Sequence, residues 1–168
     1  AIHILEAGRY SQLLPMRVAV VLYLALLILL FVYFRIARPM QSLWRPWRVI
    51  ENRPELGRSR TLRLTPDGHS GWGFEGGQFA WINLGRWPFN YAQHPISLSS
   101  SSEPALETGE VALTIKDLGD WSGKRVAAVQ SGDRVWLDGP HGVFTIDRIQ
   151  GPGYVFIAGG VGITPIHS

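Results

Sequence analysis

The chain has no cysteine among its 168 residues and only two methionines. Without cysteine, these residues hold no disulfide framework, no thiolate-bound iron–sulfur cluster and no cysteine nucleophile. Charged residues are also sparse, at 17%, and the only lysines are Lys116 and Lys124. The net charge of +3 therefore comes from arginines. These flank an apolar stretch and form no basic helix face with interleaved aromatics, which argues against nucleic acid as a partner.

One long apolar segment stands near the start of the chain. Val18 to Phe34 carries no charge, and counted from Leu13 the segment reaches 22 residues. At ~1.5 Å per residue this length crosses a hydrocarbon core of ~30 Å. A signal peptide is shorter and ends in small residues, whereas Arg35 and Arg38 follow here; a buried core helix is the other alternative. The pattern predicts a transmembrane helix, with the downstream residues on the cytoplasmic side because arginine is enriched there.

Short strand patterns follow from residue 47 to residue 147. Turn residues such as Pro66-Asp67-Gly68 separate segments that alternate between apolar and polar side chains. Ser122 to Val129 predicts a short helix with Ser122 as its N-cap. Several short strands at this spacing predict a small antiparallel β-barrel. The five predicted strands are Arg60–Thr65, Gln78–Leu84, His94–Ser99, Glu110–Lys116 and Asp133–Asp138.

A glycine-rich segment closes the chain. The apolar run Tyr154–Ile157 predicts a strand, and Gly159 to Pro165 predicts a turn after it. A strand that ends in such a turn presents backbone N–H groups to a pyrophosphate in nucleotide-binding α/β domains. Because Ser168 stands where the next helix should begin, and because Ala1 is not an initiator Met, the chain is interpreted as a fragment of a longer polypeptide.

Four motifs occur in a fixed order, although each is weak alone, since His-Pro pairs and Gly-Pro-x-Gly turns are often structural. Together they resemble the ferredoxin-reductase-type flavoprotein module, and in detail its membrane branch, the NADPH oxidase and ferric reductase family. That branch has an aromatic residue after the His-Pro pair, where this chain has Ile96. The motifs are His94-Pro95-Ile96-Ser97, Lys116 with Gly119-Asp120-Trp121-Ser122, Asp138 to Gly142, and Gly159 to Pro165.

The resemblance implies two cofactor sites. Lys116 would supply a charge for the FAD phosphates, and the N–H groups of Ser122 and Gly123 would add the partial positive field of a helix start. His94 and Ser97 would position the flavin by hydrogen bonds. The FAD-binding residues implied are His94, Pro95, Ile96, Ser97, Lys116, Gly119, Trp121, Ser122 and Gly123. The NAD(P)H-binding residues implied are Gly159, Gly160, Gly162, Thr164 and Pro165.

The resemblance also implies a membrane haem. His3 falls where a haem-ligating histidine of a preceding helix would sit, although a lone histidine there is also an ordinary interfacial residue. The expected domains are residues 1–43, the end of a haem-type transmembrane domain; 44–148, an FAD-binding β-barrel; and 149–168, the truncated start of an α/β NAD(P)H-binding domain.

The function expected of the intact protein is electron transfer from NAD(P)H through FAD to haem and on to an acceptor across the membrane. The partners implied are membrane lipid, NAD(P)H and an acceptor such as ferric iron, dioxygen or a partner protein. No side chain is expected to act as an acid or base, because the redox chemistry belongs to the cofactors. The fragment alone is expected not to oxidise NAD(P)H efficiently. The alternatives are a superoxide-generating oxidase and a membrane-anchored scaffold barrel that has lost its flavin.

Overall fold

The computed structural model describes residues 14–85, 87–88, 92–148 and 151–168. His3, the candidate haem ligand, lies outside these residues. The chain divides into two compact units, Ala1–Gln41 and Ser42–Ser168.

The first unit contains the apolar helix expected from the sequence. Helix α1 spans Leu14–Val32, a π-helical turn spans Tyr33–Ala37, and α2 spans Arg38–Leu43. Pro15 falls in the first turn of α1, where its missing N–H costs no hydrogen bond. No residue of α1 is buried, and the continuous helical segment Leu14–Leu43 is long and apolar enough to cross a membrane by length and composition.

The second unit is built on a six-stranded antiparallel sheet in the order β4-β3-β6-β1-β2-β5. Alternation explains the strands: Leu62 and Leu64 are fully buried on β2, while Arg63 between them is exposed. The buried residues of several strands together form one apolar core. The strands are β1 Trp47–Glu55, β2 Ser59–Pro66, β3 Phe79–Asn83, β4 His94–Ser97, β5 Val111–Lys116 and β6 Arg134–His141.

The expected barrel is not closed. Beyond the last residue of β4, a single bridge pairs Leu98 with Leu113, and the Ser99 N–H donates to the Ala112 carbonyl at 2.9 Å. Pro95 partly explains why β4 stays at the edge of the sheet, because proline has no N–H to donate to a second neighbouring strand. The prediction of antiparallel strands is confirmed, whereas the prediction that they close into a barrel was wrong.

Strand β1 and a short helix were missed by the sequence analysis. The polar Glu51, Asn52 and Arg53 hide the strand pattern of β1, which also carries a bulge between Val49 and Glu51. A polar residue is accommodated at position 52 of this strand because the Asn52 side-chain amide donates to the Val126 and Val129 carbonyls at 2.8 Å each. The missed helix, α3, spans Ser102–Thr108 and ends at Gly109, whose φ of 70° lies in the left-handed region that favours glycine.

Two further expectations were wrong. Residues 154–157 form no strand, because no described strand lies beside them to supply hydrogen bonds, and Val155 and Ile157 are about nine-tenths exposed. Ser122 is not an N-cap: the helical segment starts earlier, as a π-helical turn at Asp120–Arg125, followed by α4 at Val126–Ala128.

Candidate cofactor groove

Three of the four motifs meet at one groove in the second unit. The groove has a volume of about 560 Å³ and is open to solvent. Strand β4, the end of β5 with the loop after it, and the glycine-rich segment near the C-terminal end each supply part of the wall. The lining residues are His94–Ser97, Thr114–Lys116, Leu118–Ser122, Val161–Gly162 and Thr164–Pro165.

Strand β4 presents different residues on its two faces. The pairing of β4 with β3 sets His94 opposite Ile82 and Ile96 opposite Ala80. Since side chains alternate along a strand, His94 and Ile96 share the face of these buried residues, and Ser97 points to the other face. Ile96 is half-buried and packs against the apolar core. The two residues expected to position one flavin, His94 and Ser97, therefore approach the groove from opposite faces of the strand.

His94 carries a ring contact that the sequence did not predict. Its imidazole stacks on the Trp121 indole, with 3.8 Å between ring centroids and 26° between the planes. Trp121 is half-buried and also packs against the core. The two motifs are therefore joined by side chains 27 positions apart in the sequence (121 − 94).

Lys116 stands at the end of β5 with an exposed side chain and forms no ion pair with any residue that the structure describes. Its ammonium nitrogen lies 3.9 Å from the position that a Cβ on Gly160 would occupy. The cation thus lies beside the glycine-rich turn, where an anionic ligand would meet both the charge and the backbone N–H groups.

The turn after Lys116 is closed by side-chain contacts. The Ser122 Oγ accepts a hydrogen bond from the Leu118 N–H at 2.8 Å. A Cβ at Gly123 would run into the Asp117 carboxylate, so a larger residue there would require the Asp117 side chain to move. Gly123 is not among the residues that line the groove.

Arg58 neutralises the acid at this turn. Its guanidinium donates to the Asp117 carboxylate at 2.7 Å, which lowers the pKa of Asp117 below its ordinary value. An unpaired carboxylate near a phosphate site would repel the ligand, and the pairing with Arg58 removes much of that repulsion.

The Arg58–Asp117 pair makes stability dependent on acid pH. Because the pKa of Asp117 is lowered on folding, the pair stabilises the fold above the ordinary Asp pKa, and this is lost as pH falls through the folded value. We expect Asp117→Asn to flatten the decrease in urea midpoint between about pH 5 and pH 2, by a small amount because Arg58 is exposed. Asp120→Asn, at the more exposed pair with Lys124, is the control. An equal flattening in both variants would contradict the assignment.

The glycine-rich segment forms a 3₁₀ turn at Gly160–Ile163 that leads directly into α5 at Thr164–His167. Gly160 has a φ of 55°, in the left-handed region. Thr164 is buried, and its hydroxyl donates to the Val161 carbonyl at 3.0 Å, so its proton is held within the turn. Gly162, Thr164 and Pro165 line the groove, whereas Gly159 does not, and Gly160 lines an adjoining cavity that also includes Lys116.

The fourth motif, Asp138 to Gly142, is not part of this groove. Its residues continue β6 and pack against β3, where the His141 and Phe79 rings lie 5.8 Å apart. A Cβ on Gly142, whose φ is 106°, would lie 3.2 Å from the Phe79 ring. The motif thus holds two strands together, and it supports the groove only indirectly.

Thr114 is a groove residue that the sequence analysis missed. Its hydroxyl donates to the Ser99 Oγ at 3.0 Å and also shares a 3.0 Å hydrogen bond with the Thr61 hydroxyl. The signal was present in the sequence: Val111, Leu113 and Ile115 point into the core, so Thr114 must share the outer face with Lys116.

No protein-family model matches the chain, but several known proteins are similar to it in sequence. A Methanopyrus kandleri protein named probable dihydroorotate dehydrogenase B (NAD(+)), electron transfer subunit, is 32% identical over 121 residues, which cover 72% of this chain and 41% of that protein. Ferric reduction oxidase 2 of Arabidopsis thaliana is 35% identical over 80 residues, 45% of this chain and 11% of that protein.

A solved structure supports the fold. The flavohem-like FAD/NAD binding domain of nitric oxide dioxygenase from Vibrio cholerae superposes with a TM-score of 0.55 and 26% identity, covering 73% of this chain and 54% of that one. The second unit is a ferredoxin-reductase-type domain. The chain spans less than half the length of these curated relatives.

Proposed function

We propose that this chain belongs to a membrane flavoprotein oxidoreductase that passes electrons from NAD(P)H through FAD to haem and on to an acceptor across the membrane, as in ferric reductases. The observation that carries the proposal is the single groove into which β4, the Lys116–Ser122 segment and the glycine-rich turn converge. A scaffold barrel that had lost its flavin would have no need of this convergence.

The residues of the groove fit FAD by their chemistry. FAD combines a flat apolar ring system with a pyrophosphate dianion. The groove offers the charge of Lys116, which has no ion-pair partner among the described residues, for the pyrophosphate of FAD. It offers Ile96 and the stacked rings of His94 and Trp121 for the ring system. Ser97 would donate a hydrogen bond to the flavin. Bound FAD would supply the capacity to accept a hydride and release electrons singly.

The membrane part of the proposal rests on the helical segment Leu14–Leu43, which is exposed along its apolar length. An apolar helix is stable in lipid, because its backbone groups, except those at its ends, form hydrogen bonds within the segment. Arg35 and Arg45 follow the apolar run, so we propose that the flavin domain lies on the cytoplasmic side. The similarity to a ferric reduction oxidase, over 45% of this chain, supports the ferric-reductase part of the proposal.

A second candidate is electron transfer to a partner protein. It is supported by the relative from Methanopyrus kandleri, which is named as an electron transfer subunit and matches more of this chain than the ferric reduction oxidase does. Haem bound to the full-length protein in its membrane would favour the first candidate over the second.

The first experiment is an FAD titration of the detergent-solubilised chain, followed by flavin absorbance and fluorescence. We expect saturable one-to-one binding that Ser97→Ala weakens by about 3- to 10-fold, because one hydrogen bond contributes about 0.5–1.5 kcal/mol. Ser131→Ala, which removes a hydroxyl bonded to the Ile50 carbonyl away from the groove, is the matched control. A folded chain that fails to bind FAD, or equal weakening in both variants, would contradict the proposal.

A further inference from the structure

We propose that a cavity in the second unit binds the phosphate headgroup of an anionic membrane phospholipid. This Trp136 cavity has a volume of about 450 Å³, and Leu43, Trp87, Arg134 and Trp136 are among its lining residues. None of its described lining residues also lines the cofactor groove, so the two sites are separate. The inference rests on the membrane part of the proposed function and adds a lipid site to it.

The first argument is a buried hydrogen-bond donor in the cavity wall. Trp136 is only 9% exposed, and its indole Nε1 is buried without an acceptor among the residues that the structure describes. A buried donor without an acceptor is costly, and an oxygen of a ligand in the cavity would supply one. The Trp136 cavity therefore fits a ligand that is rich in oxygen acceptors.

The second argument is the guanidinium of Arg134. Its Nε donates to the Asp67 carboxylate at 3.1 Å, while its two terminal nitrogens have no hydrogen-bond partner in the described part of the chain. Asp67 is shared, since Arg48 donates to the same carboxylate oxygen at 2.9 Å. A guanidinium binds phosphate oxygens through two parallel N–H groups, so the terminal nitrogens of Arg134 fit a phosphate.

The charge of this region is positive on balance. The arginines are Arg45, in the segment between α2 and β1, together with Arg48 and Arg134; the acids are Asp67 and Asp133. The three arginines therefore exceed the two acids by one positive charge. The Asp133 carboxylate lines the cavity and accepts a backbone N–H at 2.8 Å, which reduces its repulsion of an anion. This balance favours an anionic over a zwitterionic headgroup.

The third argument is the place of Leu43 in the chain. Leu43 lines the cavity and is the last residue of the helical segment Leu14–Leu43. At ~1.5 Å per residue its 30 residues extend about 45 Å, which matches the ~40–45 Å of a bilayer with its headgroup layers. When this segment crosses the membrane, its last residue reaches the headgroup layer, where the lipid phosphates lie.

Two exposed indoles favour a lipid over a soluble ligand. Trp44 follows the helical segment directly and is 82% exposed, and Trp87, in the cavity wall, is 65% exposed. Tryptophan is enriched where a membrane meets water, because its ring is apolar and its N–H is polar. The Asn83 amide donates to the Trp87 carbonyl at 3.2 Å, so this wall of the cavity is already in place when the lipid binds.

The test uses the full chain in a non-ionic detergent, with isotope-labelled tryptophan followed by NMR and a short-chain phosphatidylglycerol as the probe. We expect the Trp136 indole N–H resonance, assigned by its loss in Trp136→Phe, to shift saturably as this lipid is added. Short-chain phosphatidylcholine should bind about threefold more weakly, because it has no net charge. Inorganic phosphate at the same concentration should cause no shift, because it has no apolar part to contact Leu43 and Trp87.

A pair of arginine variants tests the phosphate contact. Arg134→Gln should weaken phosphatidylglycerol by about fivefold and leave FAD affinity unchanged. Arg53→Gln is the matched control, because the Arg53 side chain is 58% exposed against 61% for Arg134, and each arginine pairs with one carboxylate. Arg53 does not line the Trp136 cavity, so Arg53→Gln should leave lipid affinity unchanged. If Trp136→Phe does not fold, the indole resonance that responds in wild type and loses its response in Arg134→Gln still tests the inference.

The outcomes distinguish this inference from the proposed function. The inference is wrong if FAD binds but no indole resonance responds to phosphatidylglycerol, or if both arginine variants weaken the lipid equally; the proposed function then stands. An equal response to inorganic phosphate would show a phosphate site without a lipid, and equal affinity for the two lipids would show that charge does not select the headgroup; either result overturns the inference. If the folded wild-type chain does not bind FAD, the proposed function itself fails.

Discussion

Lys116→Ala will weaken FAD binding by about tenfold or more, the largest effect we expect from a single groove residue. Lys116 has no ion-pair partner among the described residues, and its ammonium lies beside Gly160 in the glycine-rich turn. A hydrogen bond to a charged group contributes about 1.5–3 kcal/mol, and 1.4 kcal/mol corresponds to a factor of ten in affinity. The measurement is the FAD dissociation constant of the detergent-solubilised chain at low ionic strength.

The chain provides its own control for this experiment, because it has only one other lysine. Lys124 is exposed and lies outside the groove, and it pairs at 2.8 Å with Asp120, which lines the groove. We expect Lys124→Ala to weaken FAD binding much less than Lys116→Ala does, and we expect added salt to weaken FAD binding to the wild-type chain more than to the Lys116→Ala variant. Equal weakening in both variants would show that general surface charge, and not a phosphate contact at Lys116, determines affinity.

Gly77→Ala will destabilise the second unit by about 2–5 kcal/mol. Gly77 has a φ of +94°, which costs an L-residue roughly 1–2 kcal/mol, and a Cβ there would overlap the Phe144 carbonyl oxygen. Because that oxygen belongs to the backbone, relief requires moving the segment after β6, and overpacking of this kind costs typically 1–3 kcal/mol more. Urea unfolding followed by tryptophan fluorescence measures the loss.

Gly68 is the matched position for this second prediction. Its φ of +81° is similar, but a Cβ there would meet no atom within 4 Å. Gly68→Ala should therefore lower the free energy of unfolding only by the backbone cost of about 1–2 kcal/mol. If the two variants lose the same free energy of unfolding, the close approach between the Gly77 turn and Phe144 is not present in solution.

The elements that could be predicted are those whose signal is local. The apolar helix follows from an uninterrupted run of residues, and β2 and β5 follow from alternation, as Leu62, Arg63 and Leu64 illustrate. Strand β1 was missed because Asn52 interrupts its pattern for a reason that lies elsewhere in the chain, in the carbonyls of Val126 and Val129. A local pattern contains no information about such a distant acceptor.

The candidate site shows the same division. The resemblance implied separate sites for FAD and NAD(P)H, and the structure places three of the four motifs along one groove. The sequence did not reveal that Asp138 to Gly142 packs β6 against β3, or that Gly123 makes room for the Asp117 carboxylate. Both segments contain glycines for close approach, and only the fold shows that the approaching group belongs to the protein.

By itself, the sequence determined the apolar helix, the antiparallel strands with clear alternation and the residue types available to bind a flat, doubly charged cofactor. Only the tertiary structure decided that β4 remains at an open edge, that His94 stacks on Trp121 and that Lys116 lies beside Gly160. The physical reason is that periodicity and turn chemistry act between residues a few positions apart. Contacts between residues 27 or 44 positions apart (121 − 94 and 160 − 116) depend on how the whole sheet packs around its core.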